Sequence, residues 1–265
     1  MRPITLTIAG SDPSGGAGIQ ADLKTFHQLG VYGTSAITLL TVQNTMRVSR
    51  VETLAPGLVA EQILAVLEDL PPAAAKTGAL GSAEVVRAVA DALRQAARRF
   101  PLVVDPVMIS KHGARLIDEA ARLALRDLLL PQATLVTPNL QEAAELAEMP
   151  VENVSQMREA ALRIAAFGPA AVLVKGGHLE GEALDVLYSG GRFTEFPAPR
   201  FETRHTHGTG CTYSAAITAF LARGADLEDA VRAAKAFIGE AIRTAPCLGS
   251  GCGPVNHWAE GRDSL

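Results

Sequence analysis

The stretch His205-Thr206-His207-Gly208-Thr209-Gly210-Cys211-Thr212 sets imidazoles, hydroxyls, glycines and a thiol directly ahead of an apolar, alanine-rich run over 213–222. Three chemistries suit such a set. His205, His207 and Cys211 have the nitrogen and sulfur donors of a zinc clip, but the H-x-H-x3-C spacing lacks a clear fourth ligand. Cys211 at the start of a helix would have a lowered pKa and partial thiolate character. Third, glycines at 208 and 210 let the backbone turn tightly, and a helix opening near Cys211 would aim free N–H groups and a positive dipole end at an anion. A plain helix-opening turn with Cys211 as a small buried hydrophobe is the bland alternative. The anion cradle explains more of the residues than the others, and phosphate is its usual guest.

Other residues fit phosphoryl transfer. Lys175 ends the apolar run AVLVK and precedes two glycines, where an ammonium can rest on a phosphate; the alternative is a snorkelling edge lysine. Asp105 follows the run LVV, and Glu142 lies in the first turn of the helix expected after Asn139. Carboxylates beside a polyphosphate hold Mg²⁺, mostly through water, because this ion keeps its hydration shell. A helix cap for Asp105 and an exposed helix acid for Glu142 are the competing uses. The spacing of 205–212 is not the P-loop pattern, and SDPSGGAG (11–18) does not give G-x-G-x-x-G. A nucleotide kinase of another architecture is the better fit.

These residues need a scaffold, and the chain alternates short β-rich runs with helical patterns. Strands are expected over 4–10, 33–42, 73–78, 101–107, 133–138, 171–177 and 183–190. Helices are expected over 57–70, 82–99 (with Ser82 as cap), 118–130, 139–149, 155–168 and 227–245. Repeated β-α-β units imply right-handed crossovers and a mostly parallel sheet with helices on both faces. The continuous runs LVV and VLV suit strands buried on both sides. In such sheets ligands bind beyond the carboxyl ends of the strands. There the chain places Gly10-Ser11-Asp12, Gln43-Asn44-Thr45, Thr77-Gly78, Asp105-Pro106, Thr137-Pro138-Asn139 and Lys175-Gly176-Gly177. With no linker or internal repeat, one domain over 1–265 is expected.

The bulk composition bounds the rest. A formal charge of -4 gives no reason to expect nucleic acid. Three cysteines make no disulfide framework, which suits a reducing, cytoplasmic compartment. The N-terminal apolar run breaks at Gly10 and Pro13, too short to span a membrane and without a signal-peptide pattern.

The segments AGSDPSGGAGIQADLKT (9–25), TVQNT (41–45), KTGALGS (76–82), DPVMISK (105–111), TPNLQEA (137–143), VLVKGGH (172–178), HTHGTGCT (205–212) and GPVNHW (253–258) together resemble the hydroxymethylpyrimidine/phosphomethylpyrimidine kinases, of the ribokinase-like class. The resemblance implies a three-layer α/β/α fold, a homodimer, and ATP with Mg²⁺. It implies two successive phosphorylations of 4-amino-5-hydroxymethyl-2-methylpyrimidine, to the monophosphate and then the pyrophosphate. It implies that Gln43 holds the aminopyrimidine ring, and that Asp22, Gly10, Ala17 and Val107 line the same pocket. Lys175, Gly208, Thr209, Gly210 and Cys211 would face the ATP phosphates, and Asn139 and Glu142 would organise Mg²⁺ with Asp105 near. Ala79 stands where such kinases commonly have Met, which enlarges the pocket locally, and Cys252 where they more often have His. The segment 111–118 is a candidate lid. A pyridoxine/pyridoxal kinase of the same fold is the rival, and a non-catalytic vitamin-binding relative is a third option, disfavoured by the retained Lys175, glycine turn and acids.

Overall fold

The structure is a computed structural model that describes residues 2–96, 99–109, 113, 116–177 and 182–260. The strands are β1 (Ile4–Ser11), β2 (Tyr32–Gln43), β3 (Val48–Thr53), β4 (Ala74–Thr77), β5 (Leu102–Val104), β6 (Leu135–Val136), β7 (Ala171–Lys175), β8 (Asp185–Ser189) and β9 (Arg192–Phe196). The helices are α1 (Gly18–Gln28), α2 (Pro56–Asp69), α3 (Ala83–Arg94), α4 (Glu119–Ala124), α5 (Leu140–Ala147), α6 (Val154–Ala165), α7 (Thr209–Ala222) and α8 (Leu227–Arg243). The strands form one sheet in the order β3-β2-β1-β4-β5-β6-β7-β8-β9. Pairings from β2 across to β7 are parallel, and β3, β8 and β9 add antiparallel edges.

The alternation of strand side chains divides the core in two. Leu6, Ile8, Leu102, Val104, Val172 and Val174 pack with α2 to α6 on one face. Val103, Leu135, Ala171, Leu173 and Leu187 pack with α1, α7 and α8 on the other. With period-two side chains, both faces of a covered strand must be apolar, which is why LVV and VLV run uninterrupted. The expected three-layer α/β/α arrangement is thus present. Among the described residues no helix is long and apolar enough to cross a membrane.

Several expected boundaries shift. The runs expected as strands over 101–107 and 133–138 pair only over Leu102–Val104 and Leu135–Val136. Beyond them the chain leaves the sheet as the loops that carry Asp105 and Asn139. The helix expected over 118–130 is α-helical to Ala124, widens into a π-turn over Leu125–Leu129 and closes in a tight turn holding Pro131. Ser82 caps α3, its side chain accepting from the Val85 N–H, as expected. α1, β3 and β9 were not expected from the sequence. Of the candidate lid over 111–118, residues 111, 112, 114 and 115 lie outside the described residues.

Candidate active site

A cavity of about 460 Å³ opens beyond the carboxyl ends of the parallel strands. Its size falls in the range of small-molecule sites. Gly10, Ala17, Gln43, Val107, Asp105, Asn139, Glu142, Lys175, Gly208, Thr209, Gly210 and Cys211 all line it, with Ala79. The sequence expectation therefore gathers on one surface, with one exception.

That exception is Asp22. It does not line the cavity but sits fully buried behind its wall, one oxygen 2.8 Å from Lys76 Nζ and the other accepting from Thr7 Oγ1 at 2.6 Å. Lys76 points from β4 into the protein and is itself wholly enclosed. Burial opposes its charge, but Asp22 foremost, with Cys211 and Asp105, holds the ammonium above its ordinary pKa. The pair spends its hydrogen-bonding capacity inside the protein, so the pocket role expected for Asp22 is corrected to an internal one.

Each remaining residue is delivered by a local feature. The β1–β2 pairing slips between Ala9 and Ser11. There Gly10 presses on Leu39, whose Cδ1 lies 2.5 Å from where a Cβ would stand. The β2–β3 register likewise shifts between Val42 and Gln43. Such irregularities re-aim side chains, and Gln43 is brought onto the cavity wall while Val42 stays exposed. Asn139 and Glu142 form a capping box on α5: Asn139 Oδ1 accepts from the Glu142 N–H at 2.9 Å, and Glu142 Oε2 from the Asn139 N–H at 2.8 Å. Glu142 is consequently only 5 % exposed, not the exposed helix acid that position alone allowed. Burial, against the pull of Lys175 and with the push of Asp105, lifts its carboxyl to about 7.

Lys175 ends β7 and places Nζ 3.0 Å from Asp105 Oδ1, which also accepts from Thr137 Oγ1 at 3.2 Å. Asp105 Oδ2 takes Ser214 Oγ at 3.2 Å. Burial works against this carboxylate, but Lys175 and Lys76 keep its pKa below the ordinary value. The same atoms crowd the glycine turn: a Cβ on Gly210 would stand 3.5 Å from Lys175 Nζ and 3.7 Å from Asp105 Oδ2.

α7 opens on Gly208, in the left-handed conformation at φ +79°, where a Cβ would stand 1.8 Å from the Gly16 carbonyl oxygen. Only glycine can hold that position. The Thr209 N–H donates back to Thr206 O and the Thr212 N–H to Gly208 O. The Gly210 and Cys211 amides find no backbone acceptor among the described residues. They are the orphan donors of a helix start, and the cavity is in front of them. Cys211 departs from expectation. Burial foremost, then Asp22 and Asp105, outweigh Lys76 and the Gly18 N–H and push the thiol up to about 11, so it is neutral near pH 7. The helix-start effect loses to desolvation.

The zinc alternative finds no support. His207 Nε2 is 2.8 Å from Asp12 Oδ2, Cys252 Sγ donates to Arg204 O, and no metal-holding group of three His, Cys, Asp or Glu occurs among the described residues. Besides Lys76, sequence reasoning missed Asp185 and Lys235, which line the cavity 2.6 Å apart; Asp12 it placed beyond β1 without giving it a role. The signal for Lys76 was a charge inside the apolar run AAAKTG.

Residues 12–256 match the phosphomethylpyrimidine kinase family, nearly the whole chain. The chain belongs to that family. It is 49% identical over 257 residues to the thiamine biosynthesis bifunctional protein ThiED of Geobacter sulfurreducens, covering 97% of this chain and 52% of that protein. The chain thus spans about half of that bifunctional relative. It is 47% identical to the hydroxymethylpyrimidine/phosphomethylpyrimidine kinase of Streptomyces coelicolor, covering 98% of this chain and 96% of that one. Its fold superposes with a TM-score of 0.91 on an ADP complex of Bacillus subtilis pyridoxal kinase, at 38% identity and 98% of each chain.

Proposed function

We propose that the chain, acting as one domain, transfers the γ-phosphoryl group of ATP to the hydroxymethyl oxygen of 4-amino-5-hydroxymethyl-2-methylpyrimidine, then a second to the resulting monophosphate. Family membership supports the kinase activity and the acceptor. The observation that carries the reading is convergence: Lys175, Asp105 and the acceptor-less amides of Gly210 and Cys211 meet in the cavity that also holds Gln43.

In this reading Gln43 offers its amide as donor and acceptor to a ring nitrogen and the exocyclic amine. Gly10 and Ala17 supply backbone, and Val107 an apolar wall. The amides after Gly208, with Thr209 and Lys175, bind the transferring phosphoryl oxygens at a positive helix end. Mg²⁺ belongs here as a proposal. The Asp105 oxygens are engaged by Lys175, Thr137 and Ser214, and Glu142 by its cap, so these residues fit a hydrated ion held through water. Asp105 and Glu142 would hold it, with Asn139 keeping Glu142 in place. Bound there, the ion would neutralise phosphate charge.

The acceptor oxygen bonds to the γ-phosphorus as the bond to the ADP oxygen breaks. The hydroxyl proton leaves late, because the transition state is loose, and passes to an oxygen of the incoming phosphoryl group and from there to water. A thiol near 11 is no base at neutral pH, and the second acceptor needs none, since a phosphate monoester is largely dianionic above about pH 6. An Asp at this position would repel that dianion by roughly 4 kcal/mol for each of its charges at 4 Å and an effective dielectric of about 20. Cys211 therefore suits a site that takes an alcohol and then a phosphate. The test is phosphorus NMR of products made with ATP. The pyrophosphate ester is expected from the wild type, and Cys211→Asp should keep the first transfer while losing the second. Equal survival of both transfers refutes the account of Cys211, and no phosphorylated pyrimidine at all refutes the function.

The fold match to a pyridoxal kinase favours one alternative acceptor, a pyridoxal-type ring. Comparing kcat/KM for both rings decides it. For a homodimer, the support is an apolar surface at one end of the molecule. Leu40 and Val42 lie on the same side of β2, Met46 follows, and Leu248 adjoins the 249–252 segment packed on Thr45; all four are exposed. Three free cysteines fit a reducing cytoplasm.

A further inference from the structure

The cavity walls come from two turns far apart in sequence, and these turns interlock. Residues 11–18 form one and residues 205–211 the other. A Cβ on Gly16 would stand 2.5 Å from His207 Cδ2, and one on Gly208 would strike the Gly16 carbonyl, so the turns touch backbone to backbone. At their junction Asp12 is 2 % exposed and His207 5 %. The Asp12 carboxylate accepts from the Ser14 N–H at 2.8 Å, Ser14 Oγ at 2.9 Å, the Gly16 N–H at 3.2 Å and the Ala17 N–H at 2.9 Å. It thus shapes the whole first turn. Its Oδ2 also meets His207 Nε2 at 2.8 Å, across 195 residues of chain.

The direction of that bond follows from chemistry. An ionised carboxylate only accepts, so Nε2 of His207 must be the protonated nitrogen. Asp12 is held ionised: burial opposes its charge, but hydrogen bonds from His207, Gln43 and Ser14 keep the carboxyl well below the usual range. His207 is anchored on its other side, its N–H donating to Gly253 O and its carbonyl accepting from the Val255 N–H. One carboxylate therefore links the acceptor-side turn, the pyrimidine-facing Gln43 and the phosphate-binding turn.

We propose that Asp12 and His207 are a positioning pair that sets the distance between the acceptor pocket and the phosphate turn. This rests on the kinase reading of the cavity. Each turn binds its own ligand, so loosening their junction leaves both ligands bound while spoiling their alignment. A misplacement of about 1 Å costs a reaction of this kind about 100-fold. The pair therefore acts on kcat and not on the affinity of either ligand alone.

The experiment measures kcat, and the dissociation constants of the aminopyrimidine and of a non-hydrolysable ATP analogue, for wild type, His207→Ala, His207→Gln, Asp12→Asn and the double variant Asp12→Asn/His207→Ala. His207→Ala is expected to lower kcat about 100-fold with each dissociation constant moving less than about threefold. His207→Gln, whose amide N–H can reach the same carboxylate, is expected to recover at least about tenfold of that loss. The double variant should be no slower than the worse single one, the mark of two groups sharing one interaction. An unchanged kcat in His207→Ala, additive losses in the double variant, or loss of both ligands together with a fall in melting temperature each overturn the proposal. A wild type that binds neither ligand overturns the kinase reading beneath it, and is distinguished because it appears before any substitution.

Discussion

Two Asp–Lys pairs lie near the cavity, one on its wall and one behind it, and they differ in one respect. Asp22–Lys76 closes at 2.8 Å with both side chains fully enclosed. Asp105–Lys175 closes at 3.0 Å with 13 % of the Lys175 side chain and 2 % of Asp105 exposed. In each, a partner holds the lysine's charge above its ordinary pKa. The ammonium chemistry is the same, yet Lys175 keeps donor capacity facing the cavity and Lys76 faces only protein. An ammonium carries three donors, and a strand-end lysine becomes functional when one remains for a ligand. A sealed pair fixes the packing of β1, α1 and β4 instead.

The sharpest way to break this contrast is to remove each cation. Lys76→Met leaves Asp22 buried without its partner, and removing one member of a buried pair costs about 3–5 kcal/mol. Urea unfolding should show that loss. The double variant Asp22→Leu/Lys76→Met should recover much of it, because no orphan charge remains. A single variant as stable as wild type would show that the sealed pair does not matter to the fold.

Lys175→Met should act on rate. A missing donor to a charge that develops in the transition state costs about 10²–10³ in kcat, roughly 2.7–4 kcal/mol. Because this pair adjoins the open cavity, the melting temperature should fall much less than in Lys76→Met. Equal kcat in wild type and Lys175→Met would place the phosphoryl group elsewhere, and the contrast between the pairs would lose its meaning.

The sequence discloses the open pair and hides the sealed one, for a physical reason. Asp105 and Lys175 each follow a continuous apolar run, and strand ends in parallel sheets are where ligands bind, so their position alone marks them. Lys76 stands within a strand, and its partner lies 54 residues away on a helix that the glycine-rich 11–18 segment disguised as loop. The pairing of Asp12 with His207 is hidden more deeply, because only tertiary contact joins residues 195 apart. Edge strands β3 and β9 were missed because they are short and only partly covered, so little apolar patterning reveals them. Cys211 was visible as a helix-start residue, but the burial that decides its proton depends on α1 and β4 packing around it.

Glu142 reports on the open pair through pH. Its carboxyl is raised from 4.5 to about 7 by burial, with Asp105 adding and Lys175 opposing. Below pH 4.5 folded and unfolded chains both hold this proton. Between 4.5 and about 7 the folded chain holds it and the unfolded chain does not, so folding loses stability as pH rises through that window. The loss is about 3 kcal/mol by pH 8. Glu142→Gln keeps the capping geometry and removes the titration, so its stability relative to wild type should grow by that amount from pH 4.5 to 8. A difference that is flat in pH would mean that Glu142 is ionised throughout.

The smallest effect concerns the thiol between the pairs. Burial, joined by Asp22 and Asp105, outweighs the pull of Lys76 toward the thiolate and leaves the Cys211 thiol at about 11. At pH 8 about one molecule in a thousand would be ionised there, and only the thiolate attacks an alkylating reagent. Cys247, exposed on the surface, should therefore react with iodoacetamide more than about tenfold faster than Cys211, about 1.4 kcal/mol in barrier. Peptide mapping over a time course resolves the two sites. Labelling of Cys211 as fast as Cys247 would mean that the helix-start dipole and Lys76 overcome desolvation. A thiolate would then sit where the proposed phosphate acceptor approaches, and the case for a neutral sulfur serving both an alcohol and a phosphate would fail.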